Sequence, residues 1–141
     1  MPLLEQVLEQ YPKDVKLVYK NYPLPSHRAA RPAAVAAMAA GEQQKFWEFH
    51  DRLFQDYAGI DEAKIQQIAE GLGLDMKRFE AAKKSPQVLA VINRDLREAQ
   101  ELGVRGTPTI YVNGRLLRNR SLEGFRDLIE KGLAERGKPS P

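Results

Sequence analysis

His27 and His50 are the chain's two histidines, and Asp51 stands beside the second. A zinc site needs three or four converging ligands, and the spacing supplies no third, so no metal and no cofactor is expected. His50 lies in an aromatic run and fits a hydrogen-bonded or half-exposed structural role. His27 follows Pro23-Leu24-Pro25 and fits a histidine at the start of a helix. The chain has no cysteine, which excludes disulfides, thiolate nucleophiles and Cys-ligated metals together. Glu48, Asp51 and Asp56 show no paired arrangement of the kind hydrolysis uses and are expected on a solvated helix face. Arg115, Arg118 and Arg120 cluster in sequence, with Arg28 and Arg31 elsewhere. A nucleic-acid surface requires a continuous basic stripe with interleaved aromatics, and a net charge of +3 is only mildly basic. Exposed arginines on an edge hairpin, which discourage sheet-to-sheet association, account for the cluster better. Trp47, with Phe46, Phe49, Phe54 and Phe79, is expected in the core rather than along a peptide groove.

The most informative stretch is Gly103-Val-Arg-Gly-Thr-Pro-Thr-Ile-Tyr-Val-Asn-Gly114. Thr109, Ile110, Tyr111 and Val112 are β-formers. Asn113-Gly114 suits a two-residue type I′ turn, whose central residues both need positive φ. A strand is therefore expected to fold straight back into Arg115-Leu-Leu-Arg118. Pro108 has no N–H for a ladder and belongs at the strand's first residue or just before it. An X-Pro bond pays only about 0.5–1 kcal/mol for cis, but the local sequence favours a trans proline that opens the strand.

Other elements must position this stretch. At 141 residues, 43% hydrophobic and 29% charged, the chain is expected to form one soluble domain with a substantial core. No run is long and apolar enough for a membrane span, and the first residues do not resemble a signal peptide. Leu3, Leu4, Val7, Leu8 and Tyr11 predict an amphipathic helix ended by Pro12. Val15–Lys20 predicts a strand, with Val18 hinting at cover on both faces. After the extended Asn21–Pro25, Ser26 is placed as the cap of an alanine-rich helix reaching Gly41. Further helices are predicted over 44–55, over 62–70 behind Asp61, from Asp75 to Lys84, and from Ser85-Pro86 to Gly103. Ser121 caps the last helix, and 138–141 is a flexible tail. No internal repeat or linker appears. The order is helix, strand, a block of helices, a β-hairpin and a helix: an α/β class with helices inserted into a small sheet.

This order resembles the thioredoxin fold of DsbA-like thiol-disulfide oxidoreductases. The likeness rests on Asn21-Tyr-Pro-Leu-Pro-Ser-His27, on Ala33–Gly41 with Glu42–Phe54, and on Gly103–Pro108 followed by Ile110–Gly114. It implies a thioredoxin-like part over 1–25 and 103–137 with a helical insertion over 26–102. It also implies that Pro108 is the family's cis-proline. Gly106, Thr107 and Pro108, with Arg105 as a weaker neighbour, then become substrate contacts for extended peptide or protein clients. In the family, the backbone before the cis-proline pairs with substrate, a role that maps onto Thr107. The family works outside the cytoplasm, but localisation stays open here.

The chain departs from the family where chemistry is concerned. The family's first strand and C-x-x-C motif have no counterpart, because Met1–Leu8 aligns with the helix beyond the cysteines. The reaction needs a low-pKa thiolate, so no disulfide exchange is expected. With neighbouring strands ~4.8 Å apart, a missing central strand leaves a gap of ~10 Å. It is expected to close by direct pairing of the flanking strands, by a homodimer formed through the exposed edges, or by a separate strand; the homodimer is favoured. Three functions remain open: a truncated or mis-started oxidoreductase (favoured), a thiol-free peptide-binding module, and an assembly module.

Overall fold

The computed structural model describes residues 1–137. The expected tail at 138–141 lies outside the described residues. The chain divides into two compact units, one formed by Lys20–Gly103 and the other by Met1–Tyr19 with the segment from Val104 onward.

The Lys20–Gly103 unit is helical. Its helices are α2 (Ala30–Gly41), α3 (Phe46–Gln55), α4 (Glu62–Gly71), α5 (Met76–Lys83) and α6 (Pro86–Glu101), with a 3₁₀ turn at Tyr57–Gly59. Three starts follow from capping chemistry. Asp61, Asp75 and Ser85 accept hydrogen bonds from the N–H groups of Lys64, Arg78 and Val88 at 2.8, 3.0 and 3.2 Å. Helix α4 ends in a Schellman motif, in which Gly73 (φ +70°) donates to Glu70 and Leu74 donates to Ala69.

The expected cap at Ser26 is not used. A turn in which His27 donates to Leu24 and Ala30 to His27 occupies that segment, and α2 begins at Ala30. Pro32 falls in its first turn, where a missing N–H costs nothing. Helix α3 starts at Phe46 rather than at residue 44, because Gln44 sits at φ +60° and breaks the run. Ala36, Ala39 and Ala40 are fully buried in the core with Phe49, Ile65, Ala69 and Phe79. Phe49 and Phe79 stack with ring centroids 5.8 Å apart.

One polar contact is sealed inside this unit. Asn21 and Asp95 are each 3% exposed. The Asn21 backbone N–H and its side-chain amide both donate to Asp95 Oδ2 at 2.9 Å. Lys20 stands 3.5 Å from the other oxygen, and its bond to Glu98 raises its ammonium pKa above the ordinary lysine value. The segment after Tyr19 is thereby pinned to α6.

The second unit comprises α1 (Pro2–Gln10), a two-stranded antiparallel sheet of β1 (Tyr111–Val112) and β2 (Arg115–Leu116), and α7 (Leu122–Arg136). Asn113 and Gly114 both have positive φ, at 47° and 77°. They close the turn that pairs Tyr111 with Leu116 and Val112 with Arg115. Val7, Leu117, Phe125 and Ile129 form the core, with Leu4, Val15, Ile110 and Val112 packed against it. Burying each such large side chain is worth about 1.5–3 kcal/mol.

The strand expected at Val15–Lys20 does not form. Val15 donates to Tyr11 in a turn, and among the described residues β1 and β2 make the only sheet. Val15 and Leu17 are half-buried while Lys16 and Val18 are exposed, so the alternation survives without a ladder partner. Val18 is 62% exposed, against the expected cover on both faces. Direct pairing of this segment with residues 109–112 is likewise not found. The ladder at β1 is also shorter than expected, although the Ile110 carbonyl still accepts from Leu117 at 2.8 Å.

Two substitutions test these contacts by urea or thermal unfolding. At Gly124 a Cβ would lie 2.0 Å from the Asn119 carbonyl oxygen, and at Gly132 it would lie 2.5 Å from the Asn113 side-chain amide. Ala normally favours a helix by about 0.8–1 kcal/mol over Gly. Gly124→Ala should instead destabilise by about 1–3 kcal/mol through overpacking against backbone, and Gly132→Ala by less, because the Asn113 side chain can rotate away. Asp95→Ala strands two buried donors at about 1–3 kcal/mol each. It should lose clearly more stability than Asp95→Asn, which keeps an acceptor.

Candidate functional site

The loop entering β1 is held by two hydrogen bonds within its own unit. Gly103, the last residue of the helical unit, ends a helical turn at φ +69°, a conformation open to glycine. The Thr109 hydroxyl donates to the Gly106 carbonyl at 2.7 Å. Arg120 donates to the Pro108 carbonyl at 3.4 Å. The Thr107–Pro108 peptide bond is cis, in the geometry implied by the resemblance rather than the one favoured by local sequence.

Thr107, Pro108 and Thr109 are exposed, and Gly106 is half-buried. They border a groove of about 360 Å³ whose other walls are Ile110, Leu116, Leu117, Arg118 and Arg120. Among the described residues, no hydrogen bond within the chain engages the Thr107 N–H. The arrangement therefore offers a free backbone donor beside an apolar wall, with guanidinium groups at the rim. Such a surface can hold an extended peptide by main-chain pairing. Its lining residues include no histidine, lysine or carboxylate.

Gly106, Thr107 and Pro108, singled out from the sequence, are brought together here. Arg105 is exposed and is not among the groove's lining residues. Leu116, Leu117, Arg118 and Arg120 were not recognised as part of the site. Their signal was positional: a tight hairpin returns the residues after Gly114 alongside those before Tyr111. The arginines were assigned only to keeping the edge apart from other sheets.

The other candidates carry no comparable chemistry. His50 is buried with Nδ1 3.0 Å from Asp51 Oδ1, among the rings of Phe46, Trp47 and Phe54. His27 is exposed in its turn. Among the described residues, no three His, Asp or Glu side chains form a group able to hold a metal. Glu48, Asp51 and Asp56 are exposed on or beside α3, as expected. The aromatic stripe is only partly core: Phe49 and Phe79 are fully buried, but Trp47 and Phe54 are 42% and 52% exposed. Trp47 and Phe54 share a face of α3, and their rings pack against the buried His50 between them. A second groove of about 470 Å³ in the helical unit is lined by Arg52, Gln55 and Gln67 and by an ion-paired Asp56 and Lys64. No helix among the described residues is long and apolar enough to cross a membrane.

Known proteins place this architecture. A thioredoxin-like oxidoreductase from Silicibacter pomeroyi superposes with a TM-score of 0.85 at 28% identity, covering 95% of this chain and 77% of that one. The thiol-disulfide exchange protein α-DsbA2 from Wolbachia pipientis shares the fold, with a TM-score of 0.80 at 21% identity over 92% of this chain and 71% of its own. Among curated proteins, a Na(+)/H(+) antiporter NhaA 3 from Salinispora tropica is 37% identical over 115 residues, which is 81% of this chain but 18% of that protein. A Na(+)/H(+) antiporter NhaA from Herminiimonas arsenicoxydans is 37% identical over 105 residues, which is 74% of this chain and 17% of that protein. The chain thus spans about a fifth of the length of the curated relatives it matches. The family model described as DSBA-like thioredoxin domain matches residues 2–130. On that match and this fold, the chain belongs to the DSBA-like thioredoxin domain family, and it does so without a cysteine.

Proposed function

We propose that this chain is a peptide-docking module of the DsbA-like oxidoreductase family, redox-silent on its own. One observation carries the reading: the loop at Gly106–Thr109 keeps an open backbone donor and a groove, in a polypeptide with no thiol. Thiol-disulfide exchange proceeds by attack of a thiolate on a disulfide sulfur. Without cysteine, neither the attacking group nor the mixed disulfide exists in this chain. Any oxidation or isomerisation of a client requires cysteines from outside the sequence described.

The backbone at Thr107 is the element that pairs with an extended client. Thr107 is exposed, its N–H is uncommitted, and Pro108 behind it fixes the chain's direction into β1. The antiport named for the curated relatives attaches to those longer polypeptides. What this chain shares with them is a segment of about a fifth of their length.

A blocked neutral pentapeptide of alternating valine and threonine serves as the probe. Thr107→Pro removes the N–H and should weaken its binding about three- to tenfold, the net worth of one hydrogen bond. Thr107→Ala keeps the N–H and should bind as the parent does. In parallel, insulin reduction and the oxidation of a reduced model protein should stay at the uncatalysed rate. Unchanged affinity in Thr107→Pro would dismiss the loop as the docking site, and measurable turnover would dismiss redox silence.

A further inference from the structure

Between Val104 and Arg120 the sequence contains Arg105, Arg115, Arg118 and Arg120 and no acidic residue. These arginines differ in what neutralises them. Arg115 donates to both carboxylate oxygens of Glu135 at 2.8 and 3.0 Å. Arg118 is exposed and, among the described residues, has no acidic partner. Arg120 bonds, among the described residues, only to the Pro108 carbonyl, at 3.4 Å. Both Arg118 and Arg120 line the groove beside Thr107, and no Asp or Glu lines it with them.

We propose that this groove selects extended peptides that carry an acidic side chain, recognised by Arg118 and Arg120. The proposal rests on the peptide-docking reading above and adds the chemical class of the client. An extended peptide projects successive side chains to opposite faces. If its backbone pairs at Thr107, one face meets the half-buried Ile110 and the exposed Leu116, and the other meets the arginine rim. A guanidinium offers paired N–H donors that match the two oxygens of a carboxylate. The groove is open to water, so each pair contributes modestly and is weakened by salt. A nucleic-acid strand is disfavoured because the groove's lining includes no aromatic ring on which a base could stack.

Two blocked pentapeptides that differ only by a central Glu or Gln, on a valine-threonine background, are titrated against the full chain. The Glu peptide should bind about three- to tenfold more tightly at low salt. That preference should vanish at about 0.5 M salt and in Arg118→Gln/Arg120→Gln, where the ratio of Glu-peptide to Gln-peptide affinity should fall to about one. Arg118→Lys/Arg120→Lys should restore part of the preference. Equal affinity for both peptides, with Thr107→Pro still weakening each, overturns the charge selection and leaves the docking reading intact. Binding of neither peptide overturns both. Binding of an oligothymidylate more tightly than the Glu peptide, lost in the double Gln variant, overturns the proposal in favour of nucleic acid.

Discussion

Helix α7 approaches the chain that follows the hairpin so closely that one methyl group cannot be added at Gly124, where it would meet the Asn119 carbonyl. That approach ties the thioredoxin-like unit together. It lets Phe125 and Ile129 reach Leu117 in one apolar cluster, with Ile110 and Val112 packed against it. Ile110 and Leu117 are also two walls of the groove. The groove is therefore the outer side of a small core, and the loop is held by packing, not by its few hydrogen bonds alone.

Several features of this arrangement were legible from residue types. Asn113-Gly114 demanded two positive φ values and forced the hairpin. Asp61, Asp75 and Ser85 announced their helices because a side-chain acceptor satisfies an orphan N–H. Gly106, Thr107 and Pro108 were marked as a site through family likeness, because the loop's local sequence alone favoured a trans proline. What failed depended on competing partners, distant in some cases and local in others. Val15–Lys20 has a strand's alternation, yet a strand exists only if another backbone takes its N–H and C=O groups, and none in the sheet does. Ser26 has the chemistry of a cap, but a turn through His27 takes the segment first. The Asn21–Asp95 contact was invisible because the two residues are far apart in sequence and each is common on surfaces.

The functional reading divides in the same way. Loss of thiol chemistry is a statement about composition and needs no coordinates. The proposed docking role rests on geometry instead: an exposed loop and an uncommitted N–H beside a groove within one unit. The charge of the rim joins the two. Arg115 is tied to Glu135, which leaves Arg118 and Arg120 to set the electrostatic character of the groove. Exposed ion pairs influence encounter and register more than final affinity, so the proposed charge preference is a weak and salt-sensitive one.

The central claim is that the segment from Gly106 to Arg120 is the working surface of this chain. It is tested most directly by mapping backbone amide NMR shifts of the isotope-labelled chain as an extended peptide is titrated in. The largest shifts are expected at Gly106, Thr107, Thr109 and Ile110 and across Leu116–Arg120, with the helices over 30–101 nearly silent. Shifts centred on Trp47 and Phe54 of α3, with the loop unmoved, would contradict it.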